Sequence, residues 1–541
     1  MIFRHHRQLW NITKSFFHEM KTVTVSQGVV RGCREELPNG KSFLRFSGIP
    51  YAKPPINELR FKSPQKLLKF EEDEIDCTKE RDACFHKCTL KKEYVGSEDC
   101  LNLNIYVPEQ TDSNEQLAVM VYIHGGGYKY DSNSKDLYSP EYLLMENVIV
   151  VTVNYRLQAL GFMWLPKKGI PGNAGLKDQQ MALEWIHENI SIFNGDPQKI
   201  CLFGESGGAG SVHLHVLNPK SRKFINNAIC QSGTAINDWA FYGQNEETVR
   251  TSTKDLYDNC DKVLTTEDRN VWIRNKWRMV IEEESDDAFI TESSIKSLMK
   301  QAGEINFPII FGTNNGDGII VVASIISRNK LKFVNENFIS IIPRSLEIES
   351  REEAEKVAQQ IKKFYLNDND LSMENVEDFV RLRTDVDYLF AQTIANDLNV
   401  RYQPGLKQFL YEFQFDGKLN LQKKGMNWGH LPVAGHADDI FYLFGGSLAD
   451  KIELDEISRE SKMRQLMCKL WTNFAKFNDP TPDHNNPLPF KWTPIDKNEV
   501  DFSYLVINDN MKMSRNLNKS RMDFWRKLYR KWNKDYMNAQ I

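Results

Sequence analysis

Short, largely apolar runs bounded by turn-forming residues are the feature that most limits how this chain can fold. Leu103 to Val107, Leu117 to Ile123, Val148 to Val153, Ile200 to Phe203 and Ile225 to Cys230 recur in this way, followed by Phe307 to Phe311 and Phe409 to Phe413. Such runs do not alternate apolar with polar, so they suit strands covered on both faces in a mostly parallel sheet. Between the third and fourth runs, Leu176, Leu183, Ile186 and Ile190 recur at helical spacing and give one stripe that can pack on that sheet. Asn194-Gly195-Asp196-Pro197 then turns the chain into the next strand. Strand, helix and strand in alternation predict an α/β fold with a large, mostly parallel, twisted sheet flanked by helices.

The 541 residues allow several domains, but there is no internal repeat and no low-complexity linker. Residues 246 to 300 and 345 to 400 are charged and helical in texture, Arg351 to Tyr365 most clearly, and read as helical insertions beside one large domain spanning 21–541. Residues 1–20 read as a disordered extension, with Met20 as an alternative start. They lack the apolar stretch of a secretory signal. The aromatic and basic segment Phe524 to Tyr536 reads as a packed terminal helix rather than a membrane-surface helix. The strongest apolar runs, Val148 to Val153 and Ile319 to Ile326, are strand-sized and far below the ~20 residues of a membrane span. With 69 basic and 73 acidic residues the net charge is −4, so nucleic acid is not expected as a partner. Nine cysteines are too sparse and irregular for a disulfide framework, and a reducing, cytoplasmic location is the expectation. Cys77, Cys84, Cys88 and Cys100 lack the two close pairs of a zinc site, so no metal is expected.

The chemistry concentrates where Ile200-Cys201-Leu202-Phe203 runs into Gly204-Glu205-Ser206-Gly207-Gly208 and then a helical stretch, Ser211 to Leu217. A serine raised on a sharp strand-to-helix turn needs small neighbours, so that strand and helix can approach around it. The helix start favours the negative charge that develops during attack. A serine nucleophile also needs donors for the tetrahedral oxyanion. His124-Gly125-Gly126-Gly127, at the end of the run Leu117 to Ile123, is a glycine loop able to aim backbone N–H groups at a substrate.

With these motifs go Ser47-Gly48-Ile49-Pro50-Tyr51-Ala52-Lys53-Pro54-Pro55, Ser97-Glu98-Asp99-Cys100-Leu101-Asn102-Leu103-Asn104-Ile105 and Asn154-Tyr155-Arg156-Leu157. Gly172-Asn173-Ala174-Gly175-Leu176-Lys177-Asp178-Gln179, Gln231-Ser232-Gly233 and Trp471-Thr472-Asn473-Phe474-Ala475-Lys476 follow in order. From about Val23 to about Trp525 the chain resembles the type-B carboxylesterases, the cholinesterase-like branch of the α/β-hydrolase fold.

The resemblance implies a serine esterase that needs no cofactor and acts on small-molecule esters through an acyl-enzyme. It implies Ser206 as nucleophile, His436 in Gly435-His436-Ala437-Asp438-Asp439 as base, and Gly126, Gly127 and Gly207 as oxyanion donors. Histidine suits the base because its ordinary pKa lies near neutrality. The acid falls on Asp317, in Gly312-Thr313-Asn314-Asn315-Gly316-Asp317-Gly318, where most relatives carry Glu. Aspartate is one methylene shorter, so its loop must come closer or the histidine contact weakens. Gly207 replaces the usual alanine but keeps the N–H donor. Among the other histidines, His213 and His215 read as structural, His187 as partly exposed, and His430 as the reserve base.

Trp239 resembles an acyl-pocket residue of the family. Leu90 stands near the place of a cholinesterase's cation-binding tryptophan, which argues against choline esters. By the family pattern Cys100 pairs with Cys77, Cys84 or Cys88. The next short disulfide loop is absent, since Cys260 has no partner near Trp272, which fits a cytosolic enzyme. The alternative is a non-catalytic binding or adhesion relative, supported only by the Glu-to-Asp change. An interfacial lipase fits less well, because Cys84 to Tyr94 is strongly charged.

Overall fold

The computed structural model describes residues 20–88, 93–109, 115–240, 278–483, 488–498 and 502–540. Leu90, Cys260 and Trp272 lie outside them, as do residues 1–19 and part of the insertion 246–300.

Among the described residues a 13-stranded sheet dominates. Its strands are β1 (Met20–Val25), β2 (Gly28–Glu36), β3 (Ser42–Pro50), β4 (Glu74–Asp76), β5 (Asn102–Pro108), β6 (Leu117–Ile123), β7 (Ile149–Val153), β8 (Gly195–Glu205), β9 (Asn227–Gln231), β10 (Ile309–Asn314), β11 (Gln408–Phe413), β12 (Ser503–Ile507) and β13 (Lys512–Arg515). Their order is β1-β2-β3-β5-β7-β6-β8-β9-β10-β11-β12-β13, with β4 beside β2. From β7 across to β12 every neighbouring pair is parallel. The strands before β7 and the last strand add antiparallel edges.

The seven runs listed first became strands because their alternate side chains feed two cores. Val119, Val121 and Ile123 of β6 enter one core, and Ala118, Met120 and Tyr122 enter the other. Ile200 and Leu202 divide from Cys201 and Phe203 of β8 in the same way. Helix α1 (Ala174–Asn189) covers the first core with Leu176, Leu183 and Ile186. A later helix, Arg459–Phe477, covers the second with Met467, Leu470, Trp471 and Phe474. Each such side chain contributes about 1.5–3 kcal/mol on full burial.

One boundary differs from expectation. β8 begins at Gly195, inside the segment read as a turn, because only Asn194 takes the left-handed conformation (φ 64°). The ladder to β6 then shifts register between Gly195 and Ile200. The apolar run Ile319 to Ile326, whose length suits a strand, is a helix, Ile319–Ser327. Short apolar runs carry no periodicity that separates strand from helix. The C-terminal segment packs as read: Trp525 of the helix Lys519–Trp532 is fully buried beside Phe390 and Tyr365.

No described helix is long and apolar enough to cross a membrane. Cys84 and Cys100, both buried, form a disulfide, while Cys77 and Cys88 do not. The expectation of a cytoplasmic location therefore has no support, since disulfides persist in oxidising compartments.

Candidate active site

β8 delivers Ser206 at its carboxyl end. The chain turns there with φ 54° and ψ −120°, a region costly for a residue with a Cβ. Two backbone bonds hold the turn: Ser206 N–H donates to Gln231 O of β9 (2.8 Å), and Ser206 O accepts from Gly210 N–H (3.0 Å). The second bond lies in the first turn of α2 (Gly207–Leu217). Glycine is required at 208, where a Cβ would stand 2.0 Å from Ile123 O at the end of β6. Ser206 is partly exposed although the residues on both sides of it are buried.

The glycine loop leaves β6 with Gly126 and Gly127 at φ 84° and 58°. A Cβ on Gly207 would lie 3.2 Å from Gly127 N, so the loop abuts the first residue of α2. The alanine-to-glycine departure at 207 relieves that crowding while leaving the backbone donor in place.

The acid and base loops are clamped to each other. Gly316 N–H donates to Ala434 O (2.8 Å), and Asn314 Nδ2 donates to Gly435 O (2.7 Å). Across this junction His436 Nδ1 lies 2.9 Å from Asp317 Oδ1, and Asp317 Oδ2 accepts from Asn314 N–H (2.9 Å). Both side chains are buried. The Asp317 carboxylate thus makes full hydrogen-bond contact with the imidazole although aspartate is one methylene shorter than glutamate. His430, the reserve base, is exposed and stacks on Trp428, away from Asp317. His213 and His215 are buried in α2, and burial pushes both imidazoles down to about 3. That fits the structural reading of both.

The other edge of the imidazole faces Glu205. Nε2 lies 3.1 Å from Glu205 Oε1, one residue before Ser206. Burial pushes the imidazole down, but the Glu205 charge, the hydrogen bond to Asp317 and the charge of Asp439 outweigh it and raise the group to about 9. Burial pushes the Glu205 carboxyl up, against the pull of His436 and with help from Asp439, Asp317 and Asp131. Asp439 is itself fixed by Gln231 Nε2 (2.7 Å), Tyr411 Oη (3.1 Å) and Asn314 Nδ2 (3.2 Å).

Tyr388 packs its ring 4.6 Å from that of His436, and Trp239 lies next to Tyr388 at 6.0 Å. Trp239 Nε1 donates to Asp387 O (2.6 Å). The structure therefore brings Trp239 to the neighbourhood of the base, one ring removed. Sequence reading missed Glu205 and Tyr388. Glu205 was legible inside the elbow motif. Tyr388 stands in a π-helical turn, Asp385–Leu389, within a charged insertion, and gives no signal in the sequence. Among the described residues no group of three or more His, Cys, Asp or Glu is arranged to hold a metal ion.

Known proteins resemble this chain along most of its length. The Carboxylesterase family profile matches residues 19–525. Juvenile hormone esterase of Tribolium castaneum is 32% identical, with 93% of each chain aligned. Venom carboxylesterase-6 of Apis mellifera is 28% identical, with 94% of each aligned. Among solved structures, juvenile hormone esterase from Manduca sexta with OTFP covalently attached superposes with a TM-score of 0.83 at 26% identity, covering 94% of this chain and all of that one. The chain is thus an α/β-hydrolase-fold carboxylic ester hydrolase and belongs to the carboxylesterase family.

Proposed function

We propose that this protein is a serine carboxylesterase that hydrolyses small-molecule carboxylic esters through an acyl-enzyme, with Ser206, His436 and Asp317 as its triad. The observation that carries this reading is the 2.9 Å contact of Asp317 with His436 Nδ1, with Nε2 of the same ring 3.1 Å from Glu205, the residue before Ser206. His436 Nε2 takes the proton of Ser206 as Oγ attacks the ester carbonyl, and the C=O π pair moves to oxygen. The Gly126, Gly127 and Gly207 N–H groups donate to that oxyanion. Asp317 holds the tautomer and, with Glu205, stabilises the imidazolium. The imidazolium returns the proton to the leaving alkoxide, and the alcohol departs. Water, deprotonated by the same nitrogen, then attacks the acyl carbon; the bond to Ser206 Oγ breaks, the imidazolium returns the proton to Oγ, and the carboxylic acid leaves. Trp239, one ring removed from His436, is the candidate to contact the acyl group.

The juvenile hormone esterases among its relatives make an ester of that kind the first physiological substrate to assay. The Cys84–Cys100 disulfide favours an oxidising compartment as the place of action. The test is turnover of p-nitrophenyl acetate and butyrate by wild type and Ser206→Ala. Loss of at least ~10⁴-fold in kcat is expected for the variant. A wild type that neither turns over these esters nor is labelled by an organophosphate sinks the proposal.

A further inference from the structure

A fully buried lysine stands behind the base loop and has no part in the chemistry above. Lys423, 0% exposed, belongs to a short helical turn, Leu421–Gly425. Its ammonium has three N–H donors, and the structure supplies three acceptors: Leu431 O (2.7 Å), Val433 O (2.6 Å) and Asp416 Oδ1 (2.8 Å). Burying an ammonium is costly unless every donor is met and a counter-charge is present, so this position is held for a reason. Two of the three bonds go to the segment that runs directly into His436. On its other side that same segment is held by the acid loop. Asn315 Oδ1 accepts from Ala434 N–H (2.8 Å), and Gly316 and Asn314 bind Ala434 and Gly435. Asp438 completes the staple: Oδ2 accepts from Gly435 N–H (2.7 Å), and Oδ1 accepts from the N–H groups of Gln422 (3.0 Å) and Lys423 (3.3 Å).

We propose that Lys423 is the positioning residue of the catalytic base. By pinning the carbonyls of Leu431 and Val433 it presses the histidine loop onto the acid loop, and so sets the Asp317–His436 contact. The inference rests on the triad reading. It adds a residue about one hundred positions from the acid that acts only through His436.

The test uses purified wild type, Lys423→Met and Asp416→Asn, with active sites counted by an organophosphate label taken to completion. For Lys423→Met, kcat per labelled site on p-nitrophenyl butyrate is expected to fall about 30-fold, with KM held within about twofold, as for a base displaced by a fraction of an ångström. The acid limb of the pH profile moves to lower pH. Of the groups facing the imidazole (Asp317, Glu205, Asp439 and Tyr388), the variant weakens the bond from Asp317, which holds the imidazole's proton affinity up. A lysine needed only for stability lowers the melting temperature and the labelled fraction but leaves kcat per site and the acid limb unchanged, and that result overturns the proposal. Should Lys423→Met yield no folded protein, Asp416→Asn decides. It loses the counter-charge alone, so a fall of about threefold with the same direction of shift supports positioning, and an unchanged profile overturns it. A wild type with neither label nor turnover overturns the triad reading first, and this inference with it.

Discussion

At His436 two carboxylates bracket one imidazole. A base must be neutral to accept the proton of Ser206, so activity on the acid side falls as the imidazole protonates. With the group raised to about 9 despite burial, kcat/KM of the wild type is expected to keep rising between pH 7 and 9 in a steady-state pH series. Glu205→Gln removes the charge that does most to raise the imidazole, so the acid limb of that variant is expected at lower pH. Coincident acid limbs in the two proteins refute the Glu205 role. Asp317→Asn keeps the size of the acid but not its charge or its tautomer preference, and a loss of about 10⁴-fold in kcat is expected from single-turnover kinetics. Restoring the family's usual glutamate, Asp317→Glu, is expected to lower kcat as well, because this loop already seats the shorter acid at 2.9 Å.

The elbow is the element where sequence and geometry agree most closely. Glycines at 204, 207 and 208 were legible as a small-residue turn, and the reason lies in two neighbours. A Cβ at 208 meets backbone, Ile123 O, which cannot swing aside. Gly208→Ala is therefore expected to lower unfolding stability by about 3 kcal/mol in urea denaturation, whereas Gly207→Ala, 3.2 Å from Gly127 N, is expected to fold and retain activity. A Gly208→Ala protein as stable as wild type contradicts the close approach of β6, β8 and α2. The π-helical turn Asp385–Leu389 is the opposite case. Nothing in its charged sequence announces that Tyr388 meets His436. The helix Ile319–Ser327 is intermediate: its apolar character was plain, and its conformation was not.

Across the whole molecule, the site is gathered from stretches of chain far apart. Asp317 and His436 meet across 119 residues, and the parallel pairing of β8 through β11 brings the chain after β8, β10 and β11, where Ser206, Asp317 and His436 stand, to the same end of the sheet. The disulfide acts at this scale too, joining Cys84 and Cys100 across a sequence separation of 16, shortly before β5. Replacing both cysteines by serine is expected to cost about 3 kcal/mol of stability and to leave kcat unchanged. Equal urea midpoints for the oxidised and reduced wild type tell against that contribution.

By itself the sequence determined the seven central strands, the strand–turn–helix around Ser206 and the glycine loop, while the proposed roles of Asp317 and His436 rest on the family resemblance. The strands and turns are written in local pattern: apolar runs that need cover on both faces, or small residues where backbones must touch. Tertiary structure alone decided which cysteine Cys100 bonds, that the shorter acid still reaches its histidine, and that Glu205, Tyr388 and Lys423 surround the base. Those outcomes depend on how far one loop advances toward another. That distance is set by packing between segments a hundred or more residues apart, and no local pattern records it.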